Sequence, residues 1–169
     1  MTQPVIRRLG PDDAAEFRAL RLAALADAPE AFGFSVAEEE ARPLDAVRAQ
    51  LAAHPSVVFA AEADGALVGI AGFAHNDRVK QRHKGVIWGV FVQPAWRGRG
   101  LSRALMQAAL AHAREHVAAV HLSVTVGNHV ARGLYERLGF TRYGIEPRAL
   151  CIGGTFHDEE LMWLDLCAS

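Results

Sequence analysis

The chain has 169 residues, a length that fits one domain and buries roughly two-thirds of the surface its unfolded form exposes. Hydrophobic residues make up 51% and charged residues 22%, ordinary proportions for a globular protein. Lysine and arginine number 18 against 19 acidic residues, so no global basic field is available to hold nucleic acid or an anionic membrane, and any anion site must be local.

Residues 1–10 contain no apolar run of signal-peptide type. Residues 5–9 read as a short strand. Asp12 or Asp13 caps a predicted helix running to about Asp27, with Phe17, Leu20 and Ala24 on one side. Residues 29–34 are a break, and Pro43 opens a second helix over 44–53. Residues 56–63 and 67–75 read as strands joined by Asp64-Gly65, a two-residue turn signal, so this pair is expected as an antiparallel hairpin. Residues 76–84 are charged and loop-like.

A further strand is expected over 85–93, with Val86, Trp88, Val90 and Val92 on one face and Gly89 as a candidate bulge. Pro94 stops it. After Arg97-Gly98-Arg99-Gly100, a helix runs from Leu101 to about Glu115, its stripe being Leu101, Leu105, Ala108, Ala109 and His112. Residues 120–126 form a strand, Asn128 starts a helix to about Leu138, and Gly139 ends it. Residues 140–145 and 156–166 are two more strands, with a loop over 147–155 between them. The fold class is α/β (α+β): a mixed, mostly antiparallel twisted sheet of about six to seven strands with about four helices, expected as one domain over 1–169. The longest uncharged stretch, between Glu115 and Arg132, is too short to span a bilayer, so no membrane contact and cytoplasmic residence are expected. Cys151 and Cys167 have neither a CxxC spacing nor a disulfide framework and are expected as small, buried or half-buried side chains.

The sharpest local signal is the order strand, Pro94, Arg97-Gly98-Arg99-Gly100, helix. A helix N-terminus leaves about four N–H groups unpaired and carries roughly half a positive charge. Glycines let a phosphate approach that backbone, and Arg97, Arg99 and Arg103 add donors that could fork onto its oxygens. A P-loop would need Lys-Ser/Thr where Leu101-Ser102 stands, and a dinucleotide fingerprint would need a glycine where Arg103 stands. In the second informative segment, Val130, Leu134 and Leu138 repeat every four residues and are expected to pack inward, with Tyr135 on the flank. Asn128 and Tyr135, seven residues apart, project from nearly the same side of that helix.

Together these segments resemble the GNAT superfamily of N-acetyltransferases. Arg97-Gly98-Arg99-Gly100-Leu101-Ser102 is similar to that family's Q/R-x-x-G-x-G/A, departing only at Ser102. Asn128, Ala131, Leu134, Tyr135, Gly139 and Phe140 occupy the places of its second motif. The resemblance implies acetyl-CoA as co-substrate. Backbone groups of Val90, Phe91 and Val92 would meet the pantetheine amides, and residues Arg97, Gly98, Arg99, Gly100, Leu101, Ser102 and Arg103 the pyrophosphate. Asn128 would touch the pantetheine arm, and Tyr135 would act as general acid near the sulfur.

The implied reaction is direct attack of a neutral amine on the thioester in a ternary complex. An alkyl amine with a pKa near ~10.4 is free base in only about one molecule in a few thousand at neutral pH, so a base would help. Many relatives carry a glutamate where Trp88 stands. Glu30, His121, Glu159 and Glu160 are the remaining candidates. The acceptor is expected to be a small-molecule amine shaped by residues 29–34 and the 147–155 loop. The alternatives are a protein N-terminus or lysine, or a coenzyme A-binding module without turnover. The eight histidines have no metal-ligand spacing, so no metal is expected. No nucleic-acid partner is expected, and a homodimer is left open because dimers are common among relatives.

Overall fold

Seven strands form one sheet in the order β1-β2-β3-β4-β5-β7-β6. The computed structural model describes residues 3–167; residues 1, 2, 168 and 169 of the expected 1–169 domain lie outside the described residues. The strands are β1 (Val5–Arg8), β2 (Val57–Ala63), β3 (Ala66–His75), β4 (Lys84–Val92), β5 (Ala119–Thr125), β6 (Thr141–Ile152) and β7 (Thr155–Asp165). The helices are α1 (Ala14–Asp27), α2 (Val36–Ala41), α3 (Leu44–Ala52), α4 (Leu101–Arg114) and α5 (His129–Arg137). All pairings are antiparallel except β4 with β5.

Strands β2 and β3 are buried along most of their length because helices cover both faces of the sheet. On one face, Phe17, Leu20, Ala24 and Leu25 of α1 and Val47 and Leu51 of α3 pack on Val58, Ala60, Ile70 and Phe91. On the other, Met106, Ala109, Leu110 and Ala113 of α4 and Tyr135 of α5 pack on Val57, Phe73, Ile87 and Val120. Residues 64 and 65 turn with φ of 52° and 77°, the left-handed pair that an Asp-Gly hairpin adopts. Helix α4 has no proline, glycine or β-branched residue, and Arg114 in its last turn complements its dipole. Leu105 is fully buried beneath it, and truncation to alanine there would cost about 2–5 kcal/mol.

Several sequence expectations give way here. The face Val86, Trp88, Val90, Val92 does not exist: Gly89 bulges at φ 65°, and the β3–β4 register shifts between Ile70 and Gly72. Trp88 and Phe91 therefore pack on the α1 side, while Ile87, Val90 and Val92 pack on the α4 side. In α4 the buried stripe includes Met106, Leu110 and Ala113 rather than His112. In α5, Val130 is 86% exposed and Tyr135 is buried, the reverse of the expectation. The inward face is Ala131, Leu134, Tyr135 and Leu138, spaced i, i+3, i+4, i+7.

Helix α2 had no apolar stripe to betray it; Ser35 and Glu38 close a reciprocal capping box at its start. The expected 147–155 loop is mostly strand. The edge strand β6 tolerates Pro147 at a bulge between Glu146 and Leu150, and Gly153-Gly154 turns the chain into β7. Both cysteines are exposed rather than buried.

Candidate active site

Strands β4 and β5 pair only at residues 84–86 with 119–121. Beyond Val86 they diverge, and the bulge at Gly89 turns β4 further away. The outer edge of β4 from Ile87 onward therefore carries backbone groups with no strand partner on the β5 side, while β3 holds the inner edge. A small gap of about 70 Å³ opens there, lined by Gly89, Val90, Val124, Thr125, Asn128 and Tyr135 among others.

On one side of this gap is a cavity of about 810 Å³. Val90, Phe91 and Val92 form one wall, Arg97, Gly98, Gly100, Leu101, Ser102 and Arg103 form one end, and Asn128 and Tyr135 line the side toward the gap. Two segments separated in sequence by the whole of α4 and β5 thus meet across one space. Gly98 and Gly100 have φ of 74° and 77°, and a Cβ on either would meet no protein atom within 4 Å. Gly100 is the N-cap of α4; no side chain caps that helix, and its first turn has no acidic residue. The loop thus ends in an uncapped positive dipole, a geometry suited to a phosphate.

The arginines divide their work. Arg97 turns back under the loop: its Nε donates to the Val92 carbonyl at 3.0 Å and its Nη2 pairs with Asp27 at 2.5 Å. Arg99 is turned aside, with its guanidinium 4.7 Å from the Trp96 ring centroid. Arg103 lines the cavity, joined by Arg137 from the last turn of α5, which no spacing in the sequence pointed to.

Asn128 caps α5 through Oδ1, which accepts from the Ala131 N–H at 3.2 Å. A ligand in the cavity would therefore meet its NH₂ donors. Burial pushes the Tyr135 phenol up to about 12, so it stays protonated well above neutral pH.

On the opposite side of the gap is a second cavity of about 620 Å³. Trp88, Phe32, Phe34, Arg21, Arg42 and Glu159 are among the residues that line it. The two cavities share Ala31 and Phe32, because the 3-10 turn Pro29–Ala31 stands between them. The Thr125 hydroxyl pins that turn by donating to the Glu30 carbonyl. Residues 31–34 line the second cavity as expected of the break, whereas residues 147–155 do not. Sequence reasoning missed Arg21, Arg42 and Ser123, which only the folded chain brings to this wall.

The four candidate bases are separated. Glu159 lines the second cavity and Glu30 the first. Glu160 is buried beside Arg132 and Arg142, at 3.3 and 3.9 Å. His121 packs edge-on to Tyr143, with centroids 5.7 Å apart, and burial lowers its pKa. Among the described residues, no group of three His, Cys, Asp or Glu is placed to hold a metal ion, and no helix is long and apolar enough to cross a membrane.

Comparison with known proteins places this geometry in context. The model of the Acetyltransferase (GNAT) family matches residues 21–140. A mycothiol acetyltransferase of Thermomonospora curvata is 36% identical over 124 residues, covering 73% of this chain and 39% of that protein's length. The N-alpha-acetyltransferase RimI of Mycobacterium tuberculosis is 33% identical over 112 residues, covering 66% of this chain and 69% of that protein. In fold, the chain is similar to yncA of Salmonella typhimurium, a putative acetyltransferase solved with its cofactor acetyl-CoA. The TM-score is 0.84 at 24% identity, covering 99% of this chain and 96% of that one.

Proposed function

The chain belongs to the acetyltransferase (GNAT) family, and from that premise we propose that it transfers an acetyl group from acetyl-CoA to a primary amine of a small molecule. One observation carries the reading. The glycine-rich bend, the unpaired edge of β4, Asn128 and Tyr135 line a single cavity that meets a second cavity at the β4–β5 gap. A donor entering from one side and an acceptor from the other would meet at Gly89 and Tyr135.

The residues fit a diphosphate-bearing, amide-bearing donor. Residues 98–103 would hold the pyrophosphate through backbone N–H groups at the start of α4, with Arg103 and Arg137 adding charge. The edge of β4 at residues 90–92 would pair with the pantetheine amides as an added strand does. Bound acetyl-CoA supplies an acyl carbon activated by a thiol leaving group. The acceptor nitrogen forms the new N–C bond as the C–S bond breaks, and one amine proton must leave.

Backbone N–H groups on the edge of β4 that β5 leaves unpaired would donate to charge developing on the acyl oxygen. Glu159, the one candidate base lining the acceptor cavity, would take the amine proton through water. With its phenol at about 12 and an ordinary thiol at ~8.5, Tyr135 would act chiefly by donating a hydrogen bond to the departing sulfur.

A cavity of about 620 Å³ is of a size that encloses a small ligand, which favours a small-molecule acceptor over a polypeptide. The test is thiol release from acetyl-CoA against a broad amine panel. Release with one class of small amine is expected. Tight coenzyme binding with no release for any amine would leave a binding module instead.

A further inference from the structure

The acceptor-side cavity contains a cation that the transfer reaction as described does not use. Arg21, from the middle of α1, has a side chain only 7% exposed, yet it lines this cavity. Its Cζ lies 5.6 Å from the Phe32 ring centroid and 5.4 Å from that of Trp88. Nη2 stands 3.9 Å from Glu39 Oε2, beyond hydrogen-bond distance. Nε is buried with no hydrogen-bond partner. Nη1 lies 3.3 Å from the point a Cβ on Gly89 would occupy, so the guanidinium stands against the bulge at the mouth of the gap.

The charges around it do not balance. Glu39 is fully buried and shared, because Arg42 Nη1 also reaches both its oxygens at 3.4 Å. Arg42 lines the same cavity, and its Nη2 donates to Gln50 at 2.8 Å. Two guanidiniums therefore divide one carboxylate. Burial draws the Arg21 pKa downward, Glu39 raises it and Arg42 lowers it again, as expected where negative charge is short. Glu159, the other charged residue of the lining, comes from β7 rather than from the α1–α2 wall. A buried, incompletely paired guanidinium is costly, and a planar anion that forks onto its N–H groups would offset that cost.

We propose that Arg21 is the carboxylate-recognising residue of the acceptor site, and that the acceptor is an α-amino acid or close analogue with an apolar side chain. The proposal rests on the acetyl-transfer reading for the orientation of the amine. Position selects the α-amino acid. Arg21 abuts Gly89, which lines both this cavity and the small gap that Tyr135 also lines, so a carboxylate held there stands close to the reacting nitrogen. A carboxylate many bonds from the amine would overshoot. The rings of Phe32, Phe34 and Trp88 supply an apolar wall for the side chain.

The test uses the full chain with coenzyme A or acetyl-CoA. L-leucine, L-methionine, L-phenylalanine and L-tryptophan are each compared with the matching amine lacking the carboxylate and with the neutral amide. Calorimetry reads binding and thiol release reads turnover. At least one acid is expected to bind tenfold or more tighter than its amine and amide. Arg21→Gln is expected to raise KM and Kd for the acid at least tenfold while leaving the amine little changed, with Arg21→Lys recovering part of the loss. Arg21-dependent acid binding without thiol release would keep this subsite and remove the transferase reading. Efficient turnover of the decarboxylated amines with no preference for the acids would do the reverse. Equal binding of acid, amide and amine, or no binding of any acid, overturns the proposal. The ligand series on the unaltered protein decides the matter even where Arg21→Gln does not fold.

Discussion

The indole of Trp88 lies directly against Gly72, its partner in the β3–β4 register: a Cβ on Gly72 would fall 2.2 Å from the ring carbon Cε2. No side chain can stand at position 72 while the ring keeps this place. The contact holds Trp88 as a wall of the proposed acceptor cavity and as one face of the Arg21 environment. Gly72→Ala should push the indole into that cavity. Acceptor KM should rise at least tenfold while the coenzyme Kd changes by less than about threefold. Steady-state kinetics with calorimetry checks this, and an unchanged acceptor KM would separate Trp88 from acceptor binding.

Ser102, in the first turn of α4, lines the cavity proposed for the donor. Ser102→Asp places a negative charge where a helix welcomes it, by about 0.3–1 kcal/mol, but where a pyrophosphate would be repelled. Coenzyme affinity should fall tenfold or more while the Tm holds or rises. Loss of affinity together with loss of stability would instead point to general damage. This variant is cleaner than charge reversal at Arg97, whose side chain also ties the loop to Asp27 and Val92.

Tyr135→Phe keeps the ring and removes the hydroxyl. Turnover should drop tenfold or more with the coenzyme Kd nearly unchanged. Equal kcat in the variant would take Tyr135 out of the chemistry.

The same residue predicts an alkaline stability profile. Its folded pKa, about 12, is above the unfolded value near 10, so the native state holds its proton where the unfolded state has lost it. The stabilising contribution is complete below pH 10 and fades as pH rises toward 12, with a limiting slope of about 1.4 kcal/mol per pH unit. Denaturant melts from pH 9 to 12 should therefore fall less steeply for Tyr135→Phe than for the unaltered chain.

Much of the wall of the 810 Å³ cavity is legible in the sequence because its signals are local. Arg97 to Ser102 form a turn and a helix start within six residues, and Asn128 caps the helix it precedes. The wall of the 620 Å³ cavity is not legible in this way. Arg21, Arg42, Trp88 and Glu159 come from α1, the end of α2, β4 and β7, and no spacing joins them. A glycine inside a strand marks the bulge at Gly89, but not which later side chains it turns over, since a single inserted residue flips Val90 and Val92 to the other face. The inward placement of Tyr135 is hidden in the sequence because Val130, Leu134 and Leu138 offer a regular four-residue repeat that competes with the fuller face running through Ala131.

The most direct measurement is a crystal structure with coenzyme A bound. The expected result is a pyrophosphate on the backbone N–H groups of residues 98–103, pantetheine along residues 90–92, and sulfur beside the Tyr135 hydroxyl. Coenzyme bound away from the start of α4, or a thiol remote from Tyr135, would contradict it.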